Sequence, residues 1–221
     1  MISFAASDQL PLAAEVCQSF TLDNGAFSFW KAGISSDDWS DYYAFVDEWA
    51  GHPGFDWAII PDVIDGDEEA NDALLRQWPF GDVRGVPVWH LHESLERLGQ
   101  LCKNWPRVAL GSSGQWATPG NEAWWQRIAR AMEQCTCNGR PLASLHGLRM
   151  LNPEIFRHLP LSSADSTNVA RNIGLDGRWQ GPYQPTNKAI RATILTQRIE
   201  ATNSASAWLG TIPEQREFLL Q

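Results

Sequence analysis

Short, mostly apolar segments alternate along this chain with longer amphipathic ones, and that alternation is what most constrains its fold. Ile2–Ala6 reads as a strand, Asp8–Cys17 as a helix and Ser19–Asp23 as a second strand. A polar loop follows, then a helix starting near Ser36, with Asp37 and Asp38 in its first turn where the macrodipole favours acids. Trp57–Val63, Val86–Leu91, Arg107–Gly111, Leu142–Leu148 and Leu161–Ala164 read as further strands. Between them the pattern predicts helices over Asp67–Trp78, Ser94–Cys102 and Asn121–Gln134, and a short one from Asn152. Strands that are apolar throughout and separated by helices imply a parallel sheet covered on both faces. Seven of them in 221 residues predict an α/β fold of the (β/α)8 TIM-barrel type, compact or slightly incomplete, since a full barrel takes about 250 residues. A doubly wound open sheet competes with it. No G-x-G-x-x-G or G-x-x-x-x-G-K-[ST] follows any strand, which removes the usual nucleotide-binding reason to choose the open sheet. No linker divides the chain, so residues 1–221 are expected to form one domain. Residues 173–221 would be a basic C-terminal extension packed on it, with Lys188–Ala205 as a long helix.

Hydrophobic residues at 43% and charged residues at 19% exclude a mainly disordered chain. The net charge of −9 excludes a generally basic nucleic-acid-coating protein. Residues 1–139 hold eight Lys and Arg against twenty Asp and Glu, a balance of −12, whereas residues 140–221 hold nine against six, a balance of +3. A polyanion, if one binds, should meet the last third. The four cysteines are too few and too scattered for a disulfide framework. Cys135 and Cys137, with His146 nine residues on, echo part of a zinc site, but structural zinc wants four ligands and no third cysteine is near. No metal and no cofactor are expected. No apolar run approaches the roughly 20 residues that span a membrane, and the N-terminus lacks a positively charged leader. The expected address is the cytoplasm.

The ends of the strands are unusually polar, and in parallel barrels the chemistry sits at those C-terminal ends. Asp23-Asn24-Gly25 ends the second strand, Asp62 the third, and His90 and His92 the fourth. Gly111-Ser112-Ser113-Gly114 follows the fifth, His146-Gly147 the sixth and Asp165-Ser166-Thr167 the seventh. One Asp at a strand end is often only the cap of the next helix. Six successive strands delivering such groups to one rim is a different matter. Three carboxylates in one pocket would separate in pKa and divide the work of nucleophile, acid/base and recognition. Gly25, Gly111 and Gly147 would let a flat ligand approach the backbone, and Phe27 could stack on it.

Asp23-Asn24-Gly25-Ala26-Phe27 resembles the Asp-Ser-Gly-Gly-Phe/Tyr segment of the tRNA-guanine transglycosylase superfamily. The closer similarity is to its small phage and bacterial relatives that insert 7-deazaguanines into DNA. Their motifs are matched in order by Leu22–Ser28, Ile59–Val63, Val88–His90, Leu110–Gly111, His146–Leu148 and Ser163–Thr167, across roughly residues 19–172. The resemblance implies a (β/α) barrel enzyme that exchanges guanine in nucleic acid for a free 7-deazaguanine base through a covalent intermediate. It implies Asp165 as nucleophile on C1′, Asp23 as the group that binds the base edge and manages its proton, and Asp62 as acceptor from guanine N1–H and the amino group. Phe27 and Met150 would sandwich the ring. Gly111, Ser112, His146 and Gly147 would line the pocket, together with His90 or His92. Arg149 and Arg171 would contact phosphate, and the target nucleotide must leave the stack. The larger tRNA enzymes carry a zinc site and an added RNA-binding domain; neither is matched here, which favours DNA over tRNA. The acidic charge leaves room for an accessory protein that supplies affinity. The residues alone also allow a nucleoside or glycoside hydrolase with paired carboxylates, or a non-catalytic nucleobase-binding barrel whose acids are helix caps.

Overall fold

The computed structural model describes residues 1–34, 38–166 and 185–210. The predicted helix start at Ser36 and Asp37, the phosphate contact Arg171, and much of the 173–221 extension lie outside them. Strand β1 is Ile2–Ser3, β2 Phe20–Asp23, β3 Phe55–Ile59, β4 Gly85–Val86 and β5 Val88–His90. Strands β6 (Arg107–Gly111), β9 (Ser144–Gly147) and β10 (Ser163–Ala164) complete the parallel set, and β7 (Thr136–Cys137) with β8 (Arg140–Pro141) forms a separate antiparallel hairpin. The helices are α1 (Leu10–Val16), α2 (Ala26–Lys31), α3 (Ser40–Trp49), α4 (Glu68–Gln77), α5 (Gly81–Arg84), α6 (Leu95–Asn104), α7 (Glu122–Cys135), α8 (Pro153–Phe156) and α9 (Lys188–Glu200). The fold is α/β, with two four-stranded parallel sheets ordered β1-β2-β3-β4 and β10-β9-β6-β5.

Pro87 decides why there are two sheets. The sequence predicts one strand over Val86–Leu91, but proline has no N–H to give a ladder. Before it, β4 pairs with β3. At Pro87 itself only the carbonyl is used, accepting from Ala109 N–H at 2.9 Å. After it, β5 pairs with β6. One short stretch of chain therefore belongs to both sheets.

Other boundaries move for local reasons. Strand β3 starts and ends earlier than predicted, because Pro61 interrupts the run and leaves Asp62 just past the strand. Only Ile2–Ser3 of the first predicted strand pairs, since Phe4–Gln9 winds into 3-10 turns. The stretch read as a polar loop contains α2, entered through Gly25 at φ +78°. Helix α3 starts at Ser40, where the Asp38 carboxylate accepts from the Ser40 N–H at 2.9 Å. The hairpin, which the strand pattern missed, turns at Asn138 and Gly139, both at positive φ (51° and 76°), the two-residue turn that Asn-Gly favours.

Alternation along the strands sorts the core into three clusters. Leu10, Phe20, Leu22, Tyr42, Val46, Ala58 and Ile60 join α1 and α3 to the outer faces of β2 and β3. Trp89, Leu98, Val108, Leu110, Trp124, Ile128, Met132 and Leu145 join α6 and α7 to β5, β6 and β9. Trp208 packs into this second cluster, which ties the C-terminal segment to the same body. The opposite strand faces meet in a small third cluster of Trp57, Ile59, Val86, Val88 and Ala109. There Trp57 of β3 packs edge-on against His146 of β9 with ring centres 4.9 Å apart, so the inner faces of the two sheets touch.

Candidate active site

The polar residues continue the face of that small inner cluster. His90 stands two residues past Val88, Gly111 two past Ala109, and Asp23 next to the outward-facing Leu22. Asp23, Asp62 and Asp165 come close enough for the charges of the other two to push the Asp23 carboxyl up. Burial is the larger cause, the polar neighbours Ser3 and Gly25 (whose N–H donates to Asp23 Oδ2 at 3.3 Å) oppose it, and the result is a rise from 3.8 to about 6. Tyr42, fully buried on α3, donates its hydroxyl to the Ile59 carbonyl at 2.7 Å. Burial, with the negative charge of Asp23 and Asp62 beside it, holds that phenol well above its ordinary range and keeps it protonated.

Asp62 is held from two sides. Asn24, itself 1% exposed, donates its amide to Asp62 Oδ1 at 2.6 Å and to the Ile60 carbonyl at 2.9 Å. His90 Nε2 lies 2.8 Å from Asp62 Oδ2. Each carboxylate oxygen thus has one protein partner. His92 stacks on His90 with ring centres 5.6 Å apart but faces away from Asp62. Its Nε2 meets the Gly66 carbonyl at 2.9 Å and so carries the proton, which makes Nδ1 the acceptor for the Ser113 hydroxyl at 2.8 Å. Of the two histidines, His90 is therefore the one that sits on the inner face.

A buried network missing from the sequence reading stands behind this pair. Glu93 accepts from the His90 backbone N–H at 2.9 Å, from Arg97 at 2.7 Å and from the Asn71 amide at 2.9 Å. Asn71, on α4, also accepts from the Val63 N–H at 2.8 Å, next to Asp62. The pair Asn71–Glu93 thereby links the backbones that carry Asp62 and His90. Arg97 continues outward to Asp72 at 2.9 Å.

Asp165 is held more lightly. Its Oδ1 accepts from the Arg149 N–H at 3.1 Å. His146 Nε2 approaches the same oxygen at 3.4 Å, within ion-pair reach but without hydrogen-bond geometry, so that buried nitrogen has no hydrogen-bond partner. His146 Nδ1 meets the Ser163 hydroxyl at 2.9 Å. A cavity of about 300 Å³ runs beside them, lined by Phe20, Trp57, Arg107, His146, Ser163 and Asp165 among others. Arg149 has φ +61°, uncommon for a residue with a side chain, and its guanidinium lies over the Phe27 ring at 5.1 Å.

Several predicted roles meet a different setting. Met150, which the resemblance pairs with Phe27 around the ring, is fully buried in the second core cluster. The absent side chain of Gly147 makes room for Met150 and Leu161, that of Gly111 for His90 and Val88, and that of Gly25 for Ala5 and Phe29. The chain itself takes up the space those glycines leave. Ser112 accepts from the Trp124 indole N–H at 3.0 Å. Cys135 is buried beside Cys102, which with burial pushes its thiol up, whereas Cys137 is exposed. Among the described residues no group of three His, Cys, Asp or Glu is arranged to hold a metal ion, and no helix is long and apolar enough to cross a membrane. No known protein family, curated protein or solved structure matches this chain.

Proposed function

We propose that this chain is a base-exchange transglycosylase, replacing guanine in a nucleic acid, DNA before tRNA, with a 7-deazaguanine. The fold that goes with it is an incomplete (β/α)8 barrel. The support for the barrel is that the parallel strands follow one another in chain order, that the chain passes directly from one sheet to the other at Pro87, and that the two inner faces meet in the Trp57–Ala109 cluster. The observation that carries the chemistry is the trio of Asp23, Asp62 and Asp165 with Asp23 raised to about 6. A carboxyl of that pKa can give a proton and take it back near neutral pH.

The steps balance with these three groups. Asp165 attacks C1′, forming a C1′–O bond while the bond to N9 of guanine breaks, and protonated Asp23 delivers the proton the leaving base needs. The free 7-deazaguanine then gives its N9 proton to Asp23 and attacks C1′, releasing Asp165. Two displacements restore the original configuration. Asp62, oriented by Asn24 and His90, accepts from N1–H and the amino group of either base. Guanine-labelled DNA and tRNA, each incubated with a panel of free 7-deazaguanines, test the reading beside Asp165→Ala. Guanine release that needs an added base and vanishes in the variant is expected from DNA. Release without any added base would make the chain a hydrolase instead. No release from either nucleic acid would sink the enzyme reading.

A further inference from the structure

Helix α2 has exposed aromatic side chains next to these carboxylates. Phe27, Trp30 and Lys31 fall at the i, i+3 and i+4 spacing that shares a helical face, and Ile34 follows just past the helix end. Phe27 is 42%, Trp30 49% and Ile34 55% exposed. Phe27 and Trp30 are in ring contact at 5.8 Å. The helix is stopped by Gly33 at φ +70°, and the Ile34 N–H closes back on the Phe29 carbonyl at 2.9 Å, so this face has a defined end.

Single exposed apolar residues are ordinary, but two features make this face different. Trp30 is the only exposed tryptophan among the described residues; the others lie in the core or are partly buried. Lys31 is the only lysine or arginine in the first 75 residues, a strongly acidic stretch, and no acid occurs from Asn24 to Ile34. Arg149 brings a second cation onto the same aromatics through Phe27, and its backbone N–H is on Asp165. Aromatic faces interleaved with cations match a strand that carries π faces and phosphates alternately.

We propose that the Phe27–Trp30–Lys31 face of α2 is a platform for single-stranded nucleic acid, on which Trp30 stacks the base flanking the exchanged nucleotide while Lys31 meets a phosphate. The platform rests on the exchange reading for its neighbour but not for its own chemistry. A guanine-free, fluorescein-labelled oligothymidylate of about fifteen nucleotides therefore tests it separately, by anisotropy at low salt, with guanine exchange measured on the same preparations. Wild type is expected to bind. Trp30→Ala should weaken binding by about tenfold or more, because one base stack is lost. Lys31→Gln should lower the slope of log affinity against log salt by about 0.7. This pattern without guanine exchange would keep the platform and discard the exchange chemistry. Failure of wild type to bind, or equal binding by Trp30→Ala, would overturn the platform even if exchange is found. Self-association that Trp30→Ala abolishes while leaving oligothymidylate binding intact would overturn it too, and make the face a subunit contact.

Discussion

The Asp62 side and the Asp165 side of the site are built differently. Asp62 has a partner on each oxygen, its neighbours are buried, and a second layer of Asn71, Glu93 and Arg97 fixes the backbones behind it. Asp165 has one backbone N–H at 3.1 Å and a histidine too far away to bond. Groups that recognise an unchanging hydrogen-bond pattern gain from rigid preorganisation. A group that must form and break a covalent bond cannot have its oxygens fully engaged beforehand. The contrast fits recognition on one side and reaction on the other.

Asp165→Ala should separate the two sides most sharply. Exchange is expected to fall by about ten-thousandfold or more, as when a nucleophile is removed from other enzymes. The melting temperature should hardly move, because little else depends on that carboxylate. Calorimetry beside the guanine-release assay checks this, and a large loss of stability would mean that Asp165 is structural. Glu93→Ala should do the reverse. It strips the buried Arg97 of a partner and is expected to cost about 3–5 kcal/mol in urea unfolding, as breaking a buried pair does. A cost under about 1 kcal/mol, the range of surface pairs, would show that the second layer is not what makes the Asp62 side rigid.

Asp23 lies between the two sides and can be read by pH. Its carboxyl binds a proton more tightly folded than unfolded, so stability falls as pH rises through the window from 3.8 to about 6 and stays reduced above it. Asp23→Asn removes that penalty. The variant should be inactive yet more stable than wild type above pH 6, by up to about 3 kcal/mol, with the gain gone below pH 3.8. Unfolding at pH 8 and at pH 3.5 checks both ends. A variant less stable than wild type at pH 8 would mean that the polar neighbours of the carboxylate, Ser3 and the Gly25 N–H, outweigh the burial cost.

What the sequence made legible follows the same division. An apolar run ending in a polar residue is a local signal, and it singled out Asp23, Asp62, His90, His146 and Asp165, which lie near one another in the fold. Asn71 and Glu93 were not legible. Glu93 sits between the fourth predicted strand and the helix from Ser94 as one more acid, and the partner that ties it to the Asp62 side is 22 residues away. Asn24 was visible inside a motif, but its grip on Asp62, 38 residues on, depends on how β2 and β3 pair. Met150 is the opposite case: the resemblance pairs it with Phe27 around the ring, whereas a turn in the backbone sends its side chain into the core. That turn is at Arg149.

Arg149 gives the smallest effect and the finest test. At φ +61° a residue with a Cβ stores strain, of the order of 1 kcal/mol, that glycine does not. The conformation aims its N–H at Asp165 and its guanidinium over Phe27 at once. Arg149→Gly should therefore raise stability by about 1 kcal/mol relative to Arg149→Ala, since both lose the guanidinium and only the alanine keeps the strain. Both should bind DNA more weakly. If the backbone N–H matters to Asp165 on its own, the glycine variant, free to leave that geometry, should also lose turnover at saturating DNA while the alanine variant keeps it. Equal turnover in the two would mean that Arg149 serves only through its side chain, and that the light hold on Asp165 is set by His146 and the strand end instead.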